Sequence, residues 1–306
     1  GNGALQHGTV EIDYLAEATS ATLGFVGGTA GTGAVTTTGT KLTSQTFTST
    51  GAANTIGNLT ASTNVTGLTI DATTKFTTAT IAADAATKLT IKGAGAVDIN
   101  SNALETTVVT VDGSTSTGDI DVTLGNVGDA TDPGSVDSVD VTVTTGSGND
   151  EVSMANINTA REMDVKTGAG NDVVTVGSAL VNSTSALAGD TLDGGAGTDT
   201  LRGATASLGG HVKTTGVSNF ETIAITDAHT TSLDVADFGS GITTVQLEVN
   251  GANSGTIIFG ESSTSVVEFA SVTSGALTIT DGASKATTDA ATFTITDTHN
   301  VDVFAG

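Results

Sequence analysis

Short runs in which an apolar residue alternates with Thr, Asp or Glu recur along the chain, and they confine it to strand-based folds. They occupy residues 9–14, 68–70, 88–91, 107–111, 119–124, 139–143, 222–225, 244–249, 276–280 and 292–296. Successive side chains of a strand point to opposite faces, so each run carries one dry face and one wet face. Gly, Asp, Asn or Ser follows each run and marks a turn. The apolar residues are mainly Val, Ile, Leu and Ala, and the β-branched ones suit a pleated surface, as does Thr. The longest helix reading, residues 14–21, is short and ambiguous.

Composition removes several functions. The chain has no Cys, which excludes a disulfide framework and Cys-based metal sites. Its 33 Asp plus Glu against 9 Lys plus Arg give a formal charge of −24, the opposite of a nucleic-acid footprint. No stretch of about 20 apolar residues exists to span a membrane. No basic-plus-apolar leader is visible, which points to a mature product, a fragment or an export substrate without a cleaved signal. Low aromatic content and 40 Gly lean towards disorder. A mean hydropathy of +0.14 opposes that reading. The expectation is an extracellular, acidic, all-β protein.

Internal similarity narrows the architecture. Leu-Thr recurs at Leu59, Leu68 and Leu89, and Ile-Thr-Asp recurs at Ile225, Ile279 and Ile295. Many similar strands with frequent turns predict a parallel β-helix, or β-solenoid, in which each coil stacks on the next. Tandem β-sandwiches are the alternative. One Tyr and no Trp favour the solenoid, whose narrow core fills with stacked aliphatic side chains, whereas a sandwich uses aromatic anchors. Composition divides the chain softly into a Thr/Ala-rich part (1–135), a Gly/Asp-rich part (136–205) and a second Thr-rich part (206–306).

The middle part carries the chemistry. Residues 145–153 (TGSGNDEVS), 167–175 (TGAGNDVVT) and 194–202 (GGAGTDTLR) align on Gly-Gly-x-Gly-x-Asp-x-apolar-x, with Thr replacing the first Gly twice. Candidate metal-ligating residues are Gly146, Gly148, Asn149 and Asp150; Gly168, Gly170, Asn171 and Asp172; and Gly195, Gly197 and Asp199, with Asp190 and Asp193 just before the third turn. Glycines permit a tight turn in which carbonyls converge, and Asp adds a carboxylate there. An all-oxygen donor set suits Ca²⁺. Nonapeptides of this pattern occur among Ca²⁺-binding β-helix repeats. The plain alternative is tight turns with Asp accepting from a backbone amide.

These turns resemble the calcium motifs of the repeats-in-toxin (RTX) family, and the Thr, Ala, Gly and Asp background resembles RTX-type bacterial surface-layer proteins. The segment 219–223 (NFETI) and Asn58-Leu-Thr-Ala61 resemble recurring segments of that family. The motif likeness covers only about residues 145–202. The resemblance implies secretion, Ca²⁺-dependent folding and self-assembly into a lattice or filament, with cell-surface polysaccharide as a further partner. An RTX adhesin that binds an external surface is the alternative. The chain departs from the tandem pattern: Asp150 to Asp172 is 22 residues and Asp172 to Asp199 is 27, where the family repeats every nine. Coils of about 20 residues with Ca²⁺ turns on one edge fit these spacings better than a strict β-roll.

Other features are weaker. Asp98, Asp112, Asp119 with Asp121, Asp129 with Asp132, and Asp137 with Asp140 are either further ion ligands or a solvated face. His229 and His299 each follow Ile-Thr-Asp-x, which a strand ending in a turn explains; His7 and His211 stand alone. No Gly-x-Ser-x-Gly, His-Glu-x-x-His or Walker-type sequence is present, and the expectation is no enzyme. The segment 27–33 is Gly-rich but lacks the Lys that meets phosphate. The N-terminal run 9–14 is the strand expected to pair with another subunit.

Overall fold

The computed structural model describes residues 8–28, 31, 33–99, 104, 107–125, 141–157, 162–177, 180, 189–208, 216–239, 241–249, 254–259, 266–269 and 278–281. The expected strand at 292–296, three histidines (His7, His211, His299) and four acids (Asp129, Asp132, Asp137, Asp140) lie outside them.

The first twelve strands are β1 (Val10–Asp13), β2 (Ser20–Val26), β3 (Ala34–Thr38), β4 (Ser44–Thr50), β5 (Asn54–Thr60), β6 (Gly67–Ala72), β7 (Phe76–Ala82), β8 (Lys88–Gly93), β9 (Val97–Ile99), β10 (Thr110–Ser116), β11 (Ile120–Thr123) and β12 (Val141–Thr144). Then come β13 (Glu151–Met154), β14 (Met163–Lys166), β15 (Val173–Val176), β16 (Thr191–Asp193), β17 (Thr200–Gly203), β18 (Val217–Ser218), β19 (Thr222–Ile225), β20 (Ser232–Asp234), β21 (Thr244–Leu247), β22 (Thr256–Phe259), β23 (Val266–Phe269) and β24 (Thr278–Asp281). All odd-numbered strands form one 12-stranded sheet, the even-numbered strands β2 to β18 form a 9-stranded sheet, and β20, β22 and β24 form a third. Hydrogen-bonded neighbours are always two strands apart in sequence, so each coil gives one strand to each face. This is a parallel β-solenoid. Sandwiches would need antiparallel pairs, and every described pair of strands is parallel.

Residues 14–21 form no helix. Ser20 opens β2, whose seven residues all pair with β4 while burial alternates along the strand. Period-two burial of Ala21, Leu23 and Phe25 outweighs any local helical preference. The helix that does form, α1 (Thr205–Leu208), is one turn long, and Thr205 gives both its N–H and its hydroxyl to Oδ1 of Asp227 in the next coil (2.7 and 2.8 Å).

The core is two facing stacks of aliphatic side chains. One runs Ile99, Val122, Val152, Val174, Leu201, Ile223, Val245 in register. The other runs Leu68, Leu89, Val111, Val143, Val165, Leu192, Val217. Strands of adjacent coils lie about 4.8 Å apart, so each side chain touches its counterparts above and below. Three phenylalanines thicken the N-terminal coils: the Phe25 ring lies 6.3 Å from Phe47 and 5.8 Å from Phe76. Leu89 is fully buried between Leu68 and Val111. A Leu89→Ala protein should lose about 2–5 kcal/mol in urea unfolding; a loss below about 1 kcal/mol would show that the stack is not close-packed.

Outward-facing ion pairs link neighbouring coils, for example Lys88 with Asp112 (2.9 Å) and Lys92 with Asp71 (3.2 Å). Being exposed, they add little stability. At the N-terminal end, β1 and β2 are the last strands of their sheets. Leu15 and Val26 are 83% and 67% exposed there.

Candidate metal centre at the stacked glycine–aspartate corner

The three Gly–Asp turns all lead from the 9-stranded sheet to the 12-stranded one. Residues 145–150 join β12 to β13, 167–172 join β14 to β15, and 194–199 join β16 to β17. They lie in consecutive coils, so the structure brings Gly146, Gly148, Asn149, Asp150, Gly168, Gly170, Asn171, Asp172, Gly195, Gly197 and Asp199 into one three-layer corner. The spacings of 22 and 27 residues are therefore coil lengths.

Glycine is required here by backbone contact. Gly170 has φ +140°, and a Cβ on it would stand 1.9 Å from the Gly148 carbonyl oxygen. Gly197 has φ +150°, and its Cβ would stand 1.6 Å from the Gly170 oxygen. The same corner continues upstream through Gly118 and Gly95, where an added Cβ also meets backbone of the coil before.

Two ladders of side-chain oxygens lace the layers in opposite directions. On the inner side, Asp150 Oδ1 accepts the N–H of Ile120 (2.7 Å), Asp172 Oδ1 that of Asp150 (2.7 Å), Asp199 Oδ1 that of Asp172 (2.8 Å) and Glu221 Oε2 that of Asp199 (2.8 Å). On the exposed side, Asn149 donates its N–H to Asp119 Oδ1 (2.7 Å), Asn171 to Asn149 Oδ1 (2.8 Å) and Thr198 to Asn171 Oδ1 (2.9 Å). The amide-capping alternative from the sequence thus describes one oxygen of each Asp.

The other oxygen has a different fate. Asp150, Asp172 and Asp199 are 1%, 0% and 0% exposed, and Oδ2 of each is buried without a hydrogen-bond partner. Thr145 and Thr167 lie beside them, but their hydroxyls donate to the carbonyls of Thr167 (2.7 Å) and Gly194 (2.8 Å). The three aspartates occupy an inward-facing register position. Going back one coil at a time from Asp150, that position holds Ile120, Val97 and Phe76. Carboxylates replace apolar core side chains in the same column.

Burial pushes the Asp172 carboxyl up to about 6; the charges of Asp150 and Asp199 add to the rise, and the Asp150 N–H opposes it. Burial also raises Asp150, against the Ile120 N–H, with the Asp119 charge adding a little. Asp199 is raised by burial and by the charges of Glu221 and Asp193, against the Asp172 N–H.

Asp190 and Asp193 stand apart from this column. Asp190 precedes β16, at the opposite end of that strand from Asp199, and its Oδ1 accepts the Met163 N–H (2.9 Å). Asp193 lies on the outer side, where Oδ1 accepts from Gly195 N (3.1 Å) and Asn219 Nδ2 (2.7 Å). Sequence reasoning did not single out Glu221 as a candidate ligand. Its signal was the 22-residue spacing from Asp199, the same as Asp150 to Asp172. Asp119 was noted only among the scattered acids, yet it ends the outer ladder.

Asp98, Asp121 and Glu151 are register partners on the outward face of adjacent coils. His229 is fully buried, and burial lowers its pKa; its Nε2 lies 3.2 Å from the Thr256 carbonyl oxygen. Among the described residues, no three His, Asp or Glu side chains converge as a cage for a metal. A cation at the corner would thus take one carboxylate per layer and complete its shell with backbone carbonyls and water. The buried, unpartnered Oδ2 atoms and the all-oxygen donors of the turns fit that kind of group. No helix among the described residues is long and apolar enough to cross a membrane. Compared with protein-family models, curated proteins and solved structures, the chain finds no match in any of the three.

Proposed function

We propose that this chain is an extracellular structural protein of the RTX kind, a Ca²⁺-stabilised solenoid that associates with copies of itself into a surface layer or filament. The observation that carries the reading is the inward column of Asp150, Asp172 and Asp199, each with a buried Oδ2 that accepts no hydrogen bond. A buried carboxylate with a free oxygen is costly unless a proton or a cation meets it. Bound Ca²⁺ supplies that positive charge. Asp150, Asp172, Asp199 and Glu221 are the carboxylates that would hold it, with carbonyls of the glycine turns. In a low-calcium compartment the column opposes folding, and outside the cell it favours folding. Self-association is supported by the terminal position of β1 and β2, whose outer edges offer backbone groups to a second chain.

Calorimetry tests the ion. Adding about 1 mM Ca²⁺, the upper end for extracellular sites, should release or absorb heat and raise the melting temperature, and a chelator should reverse both. No heat and no shift would sink the calcium reading. Electron microscopy tests assembly: ordered sheets or fibres are expected with Ca²⁺. A protein that stays monomeric and binds an external surface instead would move the reading to an adhesin.

A further inference from the structure

The corner column does not change character gradually. From Asn54 onward its residues are Asn54, Phe76, Val97, Ile120, then Asp150, Asp172, Asp199 and the half-buried Glu221, then the exposed Thr243. Up to Ile120 every member is satisfied by the protein alone. Phe76, Val97 and Ile120 are at most 1% exposed among other core side chains. Asn54, the one polar member, donates Nδ2 to Ser49 Oγ (2.9 Å), Ala52 O (2.9 Å) and Phe25 O (3.2 Å). From Asp150 to Asp199 each layer instead buries a carboxylate oxygen without a hydrogen-bond partner. These layers are adjacent, so at neutral pH their charges also repel one another along the column.

We propose that this change divides the solenoid at the Ile120–Asp150 step into a cation-independent block and a cation-gated one. The coils of β4 to β9 stay stacked in the absence of divalent cations. The coils of β12 to β17 stack only when the buried carboxylates are neutralised, and they use the finished block as their template. The inference rests on the calcium reading above. In a solenoid each coil contacts only its neighbours, so one stretch can come apart while another stays folded. Templating has a definite contact: the Ile120 N–H, the last of the apolar column, donates to Asp150 Oδ1 (2.7 Å) and is ready for the first gated layer.

The test is hydrogen–deuterium exchange of the full chain at pH 7.5, with Ca²⁺ and with chelator, read by peptide. Chelation should speed exchange of 151–154, 173–176 and 200–203 by about tenfold or more, and leave 67–72 and 88–93 within about twofold. Equal loss across both blocks would overturn the inference while leaving calcium binding intact, as would calcium binding with no change in exchange anywhere. Failure to bind calcium at all, read by native mass spectrometry, would sink the calcium reading itself. A D150N/D172N/D199N protein provides the second arm. Asparagine keeps the Oδ1 acceptor of each rung and removes the charge, so exchange in the middle coils should become insensitive to chelator. Continued sensitivity in that variant would overturn the role of the column.

Discussion

Replacing Gly197 with valine is expected to cost more than about 4 kcal/mol and to remove the central coils from the cooperative unfolding transition. Gly197 sits at φ +150°, and a Cβ there would stand 1.6 Å from the Gly170 carbonyl oxygen. That oxygen belongs to backbone held by the stack, so no side-chain rotation relieves the clash. Forcing the layers apart would also lengthen the Asp172 N–H to Asp199 Oδ1 bond of 2.8 Å. Gly67→Ala is the control, since nothing lies within 4 Å of a Cβ at that position; its change should stay within about 0.5 kcal/mol. Urea unfolding followed by circular dichroism reads both. A Gly197→Val protein as stable as the parent would mean that the turns do not stack in backbone contact.

The second large effect is an inversion of pH dependence by calcium. Burial holds Asp172 near 6, above the ordinary carboxyl value of 3.8, and raises Asp150 and Asp199 in the same direction. Between these limits the folded state binds more protons than the unfolded state, so stability falls as pH rises through about 6. In chelator the protein should therefore melt at a lower temperature at pH 7.5 than at pH 5. With excess Ca²⁺ the order should reverse, because the ion competes with the proton for the same oxygens. His229 acts against the first trend: its lowered pKa removes stability as pH falls below about 6.5. Asp172→Asn separates the two, since it should make the chelator profile shallower while leaving the histidine contribution. Identical pH profiles with and without Ca²⁺ would count against any coupling between the ion and these carboxylates.

Much of the fold could be read locally. Alternation in 88–91 marked β8 because a half-buried strand repeats every second residue; the run 222–225 also became a strand, β19, but all four of its residues are buried. The parity of Asp150 with Val152 already put the carboxyl just before β13 on the side of that strand's core-facing residues. The region 14–21 was ambiguous between helix and strand, and pairing with β4 made Ser20 and Ala21 part of a strand. The corner was legible where glycines and aspartate coincide, in 145–150, 167–172 and 194–199. It was illegible at Gly93-Ala-Gly95, which has the same glycine pair but Val97 in place of the aspartate.

The sequence by itself determined strand character, the turn glycines, the absence of cysteine chemistry and the acidic donors of the corner, because each depends on residues close together in the chain. Only the tertiary structure decided which coil lies on which. Coil length varies, from 21 residues between Leu68 and Leu89 to 32 between Val111 and Val143, and no local pattern sets the register across such unequal connections. Stacking is what aligns Ile120 with Asp150 and Asp199 with Glu221. It turns a line of exposed-looking acids into a buried column, since an oxygen loses its water only when the next coil covers it.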